Sequence, residues 1–210
     1  MENVTDRVSN PFGMQVPDDR PAVYGFGDVN ADFHVIGDHP GRHGGVASGI
    51  PFTGSVAGRR LRRVLGDVGL LVDSDESPPT VRSVYLSYLH PAVPDGEPSD
   101  QEYADLERFL DAEVRAVTAH VLLPVGERAI EYVLGHYTAE AIADGDTEAH
   151  HAAELGTGAF LVVPVAEPSR WTAGQADALR DRLAAILSRD FRRESDLGRF
   201  LVGGDPYFVR

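Results

Sequence analysis

A glycine-rich segment near residue 40 carries the side chains best suited to do chemistry. Asp38, His39 and His43 lie within six residues, among glycines at positions 37, 41, 44, 45 and 49. Glycine lets a backbone approach a ligand closely, and histidine beside a carboxylate can bind a metal or move a proton at neutral pH. The glycine spacing matches neither a dinucleotide-binding fingerprint nor a phosphate-binding P-loop. The three side chains are therefore consistent with a metal site, a general acid–base group or an ordinary polar turn.

The surrounding sequence predicts the strands and helices that must position this segment. Four short apolar runs predict buried strands at 33–37, 81–89, 120–124 and 159–165. Apolar residues at helical spacing predict helices at 57–70, 99–119, 126–134 and 172–189. Ser99, followed by Glu102, predicts a capping box at the start of the second helix. The alternation predicts an α/β fold, a three-layer α/β/α sandwich with a central, mostly parallel four-stranded sheet.

Ligand sites in such folds lie where the strands end. The carboxyl ends of parallel strands meet at one edge of the sheet. Three loops leave the predicted strands at that edge, at 37–54, 87–98 and 164–172. We therefore expect these loops to build the site.

The composition bounds the class of protein. The chain has 210 residues, of which 42% are apolar and 25% charged, and these values predict a single domain over 1–210. Within it we expect an irregular arm at 1–22 and a tail at 192–210. No apolar run reaches the ~18–20 residues of a membrane span, and the first residues show no signal-peptide pattern. We expect a cytoplasmic monomer that does not bind membranes. The lack of cysteine excludes disulfides, thiolate zinc sites and cysteine-bound iron–sulfur clusters.

The chain is strongly acidic, and all its basic residues other than histidine are arginines. The net charge is −14, and 20 aspartates and 13 glutamates face 19 arginines and no lysine. High salt screens the repulsion within such a chain, so the composition predicts a halophilic protein of a salt-rich cytoplasm. An acidic protein from a GC-rich genome is the alternative. Nucleic-acid binding would require a local basic patch, because it depends on phosphate contacts.

The segment from Val35 to Gly54 resembles the first motif of the uracil-DNA glycosylase superfamily. It is most similar to the thermophile-type family 4 and family 5 enzymes, and shares with family 5 the loop length, the His-Gly-Gly and the closing Phe-Thr-Gly. Weaker similarities follow in the same order at 94–99, 123–129 and 163–169, so the resemblance covers about residues 21–190. It implies an enzyme that flips uracil, or a related damaged base, out of DNA and hydrolyses its N-glycosidic bond.

The resemblance also implies a set of base-binding residues. Phe52 takes the position of the aromatic residue that stacks under the base, and the backbone of the loop that begins at Gly37 is expected to contact the base. Ser87 stands where the family usually has an asparagine that reads the uracil edge. Glu167 stands where the family usually has a histidine that stabilises the developing oxyanion.

The expected catalytic pair is His39 and Asp38. His39 stands where related families have a water-activating Asp or Asn, or a family 5 alanine. We expect His39 to activate water and Asp38 to orient or charge it. Pro91 and Leu106 stand at two positions of the family's iron–sulfur cysteines, so apolar packing is expected to replace the cluster. We expect no cofactor and no metal.

Several polar residues near these loops could contact DNA. The candidates are Arg42, Arg59, Arg60, Arg62, Arg63, Ser169 and Arg170. The same arginines could instead form a solvated helix face that balances the acidic surface. Two further alternatives stay open for the whole chain. It could be a superfamily member with lost or altered chemistry that binds damaged DNA or a nucleobase, or an interaction domain that does not bind DNA.

Overall fold

A six-stranded sheet forms the centre of the computed structural model, which describes residues 7–72, 78–138, 147–156 and 160–192. The strands are β1 (Phe26–Gly27), β2 (Phe33–Gly37), β3 (Leu71–Val72), β4 (Thr80–Val81), β5 (Val84–Tyr88), β6 (Val121–Pro124), β7 (Leu155–Gly156) and β8 (Leu161–Val162). The sheet order is β1-β5-β2-β6-β8-β7, while β3 and β4 pair with each other. The sheet therefore has six strands rather than the predicted four.

The two additional strands lie at the edges of the sheet. The four predicted strands are its parallel centre, since β5, β2, β6 and β8 pair in parallel. β1 and β7 pair antiparallel to β5 and β8 and contain two residues each. Neither β1 nor β7 lies in an apolar run of the kind that predicts the four central strands, so the sequence gives no signal for them.

Helices cover both faces of the sheet, which confirms the predicted α/β/α sandwich. They are α1 (Pro40–His43), α2 (Val56–Asp67), α3 (Asp100–Val117), α4 (Glu127–Tyr137) and α5 (Gln175–Leu187). One apolar core joins the sheet to α2 and α5, and the other joins its opposite face to α3 and α4. The predicted capping box of Ser99 and Glu102 begins α3. Among the residues that the structure describes, no helix has the length and apolar character needed to cross a bilayer.

A third, smaller apolar cluster lies under the N-terminal arm. Val16, Ala92, Leu106 and Phe109 pack together there, and Met14 and Tyr24 cover them. The resemblance puts two of the iron–sulfur cysteines at the positions of Leu106 and Pro91, and Pro91 precedes Ala92. Apolar side chains therefore occupy this region. The predicted tail lies outside the described residues from residue 193 on, as do residues 1–6 of the predicted arm.

Candidate functional site

The loop that follows β2 holds Asp38 in place through both its backbone and its carboxylate. The Asp38 N–H donates to Nδ1 of His43 at 3.0 Å. One carboxylate oxygen accepts from the hydroxyl of Tyr103, and the other lies 3.5 Å from Nε of Arg42. Asp38 is 1% exposed, so these two neighbours, rather than bulk water, contact its carboxyl group.

His39 is buried beside Asp38, with its ring nitrogens uncommitted. It is 4% exposed, and within the described parts of the chain neither ring nitrogen has a hydrogen-bond partner. Nε2 lies 3.7 Å from a carboxylate oxygen of Glu97. Burial lowers the pKa of His39, and the nearby charges of Asp38 and Glu97 only partly oppose this. The ring is therefore neutral at pH 7 and can accept a proton.

Asp38, His39 and Glu97 also form a group that could hold a metal ion. One potential ligand atom from each lies within 4.8 Å of the others. Arg42 reaches the same carboxylates, because its Nη2 lies 3.2 Å from Oε1 of Glu97 and its Nε faces Asp38. The guanidinium thus already supplies positive charge between the two acids.

His43 lies at the centre of the predicted base-binding residues. Its ring is 0% exposed and stacks on Phe52, with the ring centroids 5.5 Å apart and the planes 22° apart. Tyr88 lies on the same stack, 6.3 Å from His43. Because Nδ1 accepts from the Asp38 N–H, a neutral His43 carries its proton on Nε2 and donates it to Oε2 of Glu167 at 3.0 Å.

Glu167 is an ionised carboxylate whose two oxygens both accept hydrogen bonds. Its other oxygen accepts from the N–H of Ser169 at 3.1 Å and from the Ser169 hydroxyl at 2.8 Å. Burial alone would raise the pKa of Glu167, but the hydrogen bonds from His43 and Ser169 outweigh it and lower the pKa to about 2. Glu167 is therefore charged at neutral pH and holds the ring of His43.

Phe52 is buried completely, in a backbone conformation that is unusual for its residue type. Its φ is +60°, and its side chain is 0% exposed. The Phe52 N–H donates to the hydroxyl of Tyr88 at 2.7 Å, and that hydroxyl donates to the carbonyl of Gly44 at 2.9 Å. The backbone of Phe52 also packs on Gly58, where an added Cβ would lie 2.1 Å from the Phe52 carbonyl oxygen.

The structure brings together three of the four predicted base-binding residues. Phe52 stacks on His43 and Glu167 binds it. Gly37 lies next to the same ring, since a Cβ added there would be 2.8 Å from its Nδ1. Ser87 does not join them, because it faces the α3 side of the sheet and its hydroxyl lies 2.8 Å from Nε2 of His34. Tyr88, the next residue on β5, is the aromatic side chain that reaches the site.

The predicted DNA-contacting arginines have different environments. Arg59 and Arg63 are exposed on α2, and Ser169 and Arg170 are exposed in the 3₁₀ turn Pro168–Arg170. Arg60 instead donates to the carbonyls of Pro168 and Ser169, at 2.9 and 3.2 Å, and so ties α2 to that turn. Arg62 is 4% exposed.

A groove of about 510 Å³ runs along the glycine-rich loop and the start of α2. Its lining includes Gly41, Gly44, Gly45, Ser55, Arg59 and Arg62. Ser55 fixes this end of α2, because its hydroxyl accepts from the Gly58 N–H at 2.9 Å and donates to the His43 carbonyl at 2.6 Å. The groove therefore lies beside Gly44 and Gly45, the two residues that follow His43.

Trp171, the single tryptophan of the chain, closes the turn that carries Glu167. It is 8% exposed, and its indole N–H donates to the carbonyl of Ala166 at 2.9 Å. Its ring lies 5.7 Å from that of His151, which accepts from the Ala166 N–H at 3.0 Å. The turn is therefore held at both ends.

Comparison with known proteins identifies the family of the chain. The family model of the uracil DNA glycosylase superfamily matches residues 24–189. A Type-5 uracil-DNA glycosylase of Thermus thermophilus is 32% identical over 120 residues, which are 55% of this chain and 55% of that protein. A Type-5 uracil-DNA glycosylase of Pyrobaculum aerophilum is 31% identical over 174 residues, 73% of this chain and 76% of that protein. The chain therefore belongs to the uracil DNA glycosylase superfamily.

Proposed function

We propose that this protein is a DNA repair hydrolase that flips uracil, or a related damaged base, out of DNA and hydrolyses its N-glycosidic bond. The observation that carries the proposal is the convergence of Phe52 and Glu167 on the ring of His43 beside Gly37, in loops at the carboxyl edge of the sheet that also carry His39. A flipped base needs an aromatic platform and fixed hydrogen-bonding groups, and this edge supplies both. The names of the Type-5 relatives support uracil as the base.

The hydrolysis requires a water molecule that attacks the sugar carbon while the base departs with the bonding electrons. His39 is the proposed general base, because its neutral, buried ring can take a proton from that water. Asp38 stabilises the cationic ring that results, since its carboxylate is fixed beside His39 by Tyr103 and Arg42. Backbone N–H groups of the glycine-rich loop, rather than the anionic Glu167, stabilise the departing base.

The proposed DNA-binding surface comprises the exposed arginines around the site. Arg59, Arg63 and Arg170 can reach phosphates. Ser169, whose N–H and hydroxyl both donate to Glu167, takes part by holding the turn that carries Arg170. Arg60 and Arg42 take part by holding the loops, because their guanidinium groups are bound to the turn carbonyls and to acidic side chains. Such phosphate contacts position the duplex without reading its sequence.

The test is cleavage of uracil-containing single- and double-stranded oligonucleotides in molar KCl, with alkali to reveal abasic sites. We expect cleavage by the wild-type protein and a loss of roughly 10²–10⁴-fold in His39→Ala, the usual contribution of a general base. His136→Ala, on the exposed end of α4, is the matched control and should cleave normally. Equal rates for wild type and His39→Ala would refute the proposed mechanism.

The second candidate function is binding without turnover. It is favoured by one observation, namely that the anionic carboxylate of Glu167 stands where the resemblance puts the histidine that stabilises the departing base. A wild-type protein that binds uracil-containing DNA yet leaves it intact would support this function over hydrolysis.

A further inference from the structure

We propose that the imidazole of His43 occupies the position that a flipped base takes, and that this ring must leave before a base can bind. The inference rests on the proposed function, since it concerns the pocket through which that function would act. It assigns to His43 an inhibitory role within its own site.

The first argument is the shape of the pocket around the ring. His43 stacks on Phe52, and Gly37 leaves room for it, because an added Cβ at Gly37 would lie 2.8 Å from Nδ1. Gly126 lies on another side of the ring, where an added Cβ would lie 3.5 Å from Cε1, in ordinary van der Waals contact. His43, Phe52 and Tyr88 are all at most 2% exposed. No base can lie on this face of Phe52 while the imidazole remains there.

The second argument is the pattern of hydrogen-bonding groups on the pocket wall. The Asp38 N–H offers a donor, and the Glu167 carboxylate offers an acceptor. The neutral imidazole presents one acceptor and one N–H donor, and both are satisfied. A pyrimidine edge also presents acceptors and an N–H, so the wall that holds His43 is suited to a planar heterocycle that replaces it.

The third argument is that the chain has a way to move the ring. His43 is the last residue of α1, a helix of four residues, and Gly44 and Gly45 follow it at φ of +99° and +100°. Glycine adopts such angles without strain, so the backbone can change direction there once the hydrogen bonds from Ser55 to the His43 carbonyl and from Tyr88 to the Gly44 carbonyl are released. The groove of about 510 Å³ behind these glycines offers a place for the displaced ring.

The test uses His43→Ala, which removes the ring but keeps the wall. Thermal shift and calorimetric titration are carried out with two probes, imidazole and free uracil, on the wild type and the variant. We expect both probes to bind His43→Ala and to raise its midpoint temperature, because a ligand that binds only the folded state stabilises it. The wild type should bind neither. His43→Ala combined with Glu167→Ala, which lacks the acceptor, should bind the probes at least about tenfold more weakly than the single variant, as expected when a buried hydrogen bond to a charge is removed.

The outcomes separate the inference from the proposed function. Failure of a folded His43→Ala protein to bind uracil, with or without imidazole binding, overturns the inference even where the wild type cleaves DNA. Probe binding by His43→Ala supports the inference even where neither protein cleaves. Absence of cleavage in both proteins counts against the proposed hydrolysis alone.

A second measurement needs no variant, in case His43→Ala does not fold. Histidine-ring NMR of the wild type should show an Nε2-protonated His43, and its signals should change when DNA with a non-cleavable uracil analogue binds. Unchanged signals in a saturated complex would overturn the inference, because the ring would then have stayed in place.

Discussion

Phe52 is fixed by its neighbours more tightly than its place in a loop suggests. Its backbone has a positive φ, and its carbonyl packs on Gly58 of α2. A phenylalanine adopts such a φ only when the surrounding structure imposes it. The glycine at position 58 is therefore part of what holds the aromatic platform.

Gly58→Ala should destabilise the protein, although glycine to alanine within a helix is normally favourable. An added Cβ would lie 2.1 Å from the carbonyl oxygen of Phe52, which is backbone and cannot move aside cheaply. We expect a loss of about 1–3 kcal/mol in the free energy of unfolding, as for overpacked core positions. Denaturant-induced unfolding, followed by circular dichroism, measures it.

The matched control is Gly135→Ala in α4. No heavy atom lies within 4 Å of a Cβ added there, so the variant should gain about 0.5–1 kcal/mol through helix propensity. A Gly58→Ala protein that is stabilised as much as Gly135→Ala would show that the packing against Phe52 is not constraining.

At the scale of elements, β5 and α3 meet through a buried carboxyl group. The hydroxyl of Tyr85 donates to Oε1 of Glu113 at 2.8 Å, and Glu113 is 5% exposed. Burial raises the pKa of Glu113 from 4.5 to about 7, although hydrogen bonds from Tyr85, Ser87 and Gly25 act in the opposite direction. The contact between these two elements therefore depends on pH.

Glu113→Gln should remove a pH dependence of stability between about pH 4.5 and pH 7. The folded protein holds this proton more tightly than the unfolded chain, so raising the pH through that range destabilises the fold. The penalty is complete above pH 7 and is about 3 kcal/mol, from a pKa difference of about 2.5 between the folded and unfolded states. Free energies of unfolding at pH 5 and pH 8 measure it.

We expect the stability difference between pH 5 and pH 8 to shrink in Glu113→Gln and to stay in Glu131→Gln, an exposed control on α4. A wild-type stability that rises from pH 5 to pH 8, with no change in the difference for Glu113→Gln, would contradict the raised pKa.

The sequence predicts the parallel centre of the sheet and most of the site loop, but not which side each β5 residue faces. Adjacent strand residues point to opposite faces, so Ser87 and Tyr88 cannot both reach the site. Helices cover both faces of β5 and all five of its residues are buried, so its sequence lacks the apolar–polar alternation that would identify the site side. Tyr88 reaches the site for this reason, and Ser87 does not.

The sequence pattern does not predict the position of the His43 side chain either. It ends a helix of four residues, too short to show a helical period, and its contacts come from Asp38 and from Glu167, 124 residues away. By contrast, the predicted proximity of Gly37, Phe52 and Glu167 follows from a general rule, because all three come from loops at the carboxyl edge of the sheet.

For the whole molecule, the exposed arginines of α2 stand against a net charge of −14. Arg59→Glu combined with Arg63→Glu should weaken binding to all DNA sequences about equally. The slope of log affinity against log salt should become shallower by about 2, one for each phosphate that an arginine no longer neutralises. Calorimetric titrations over a KCl series measure both quantities.

Arg115→Glu on α3 serves as the control, since that side chain is 81% exposed on the opposite face of the sheet. It changes the net charge in the same direction without touching the site. The control changes the net charge by −2 and the double variant by −4, so a weakening in the control of about half that in the double variant would assign the effect to overall charge rather than to direct binding of phosphate.

The excess of acidic residues also predicts how stability responds to salt. Screening shortens the range of repulsion from ~10 Å at 0.1 M salt to ~3 Å at 1 M. We therefore expect the midpoint temperature to rise as KCl is raised over this range, measured by calorimetry. A midpoint independent of KCl would favour the alternative of an acidic protein from a GC-rich genome.

The lone indole of Trp171 gives this protein an optical probe at a useful place. It is buried in the turn next to Glu167, and Arg60 of α2 reaches its backbone carbonyl at 3.4 Å. Light absorbed at the red edge of the protein spectrum excites only this residue, because the chain has one tryptophan. Any event that loosens the turn would admit water to the ring and shift its emission to longer wavelength. Engagement of unlabelled DNA, and its timing in a stopped-flow instrument, could thus be followed through the native chain itself.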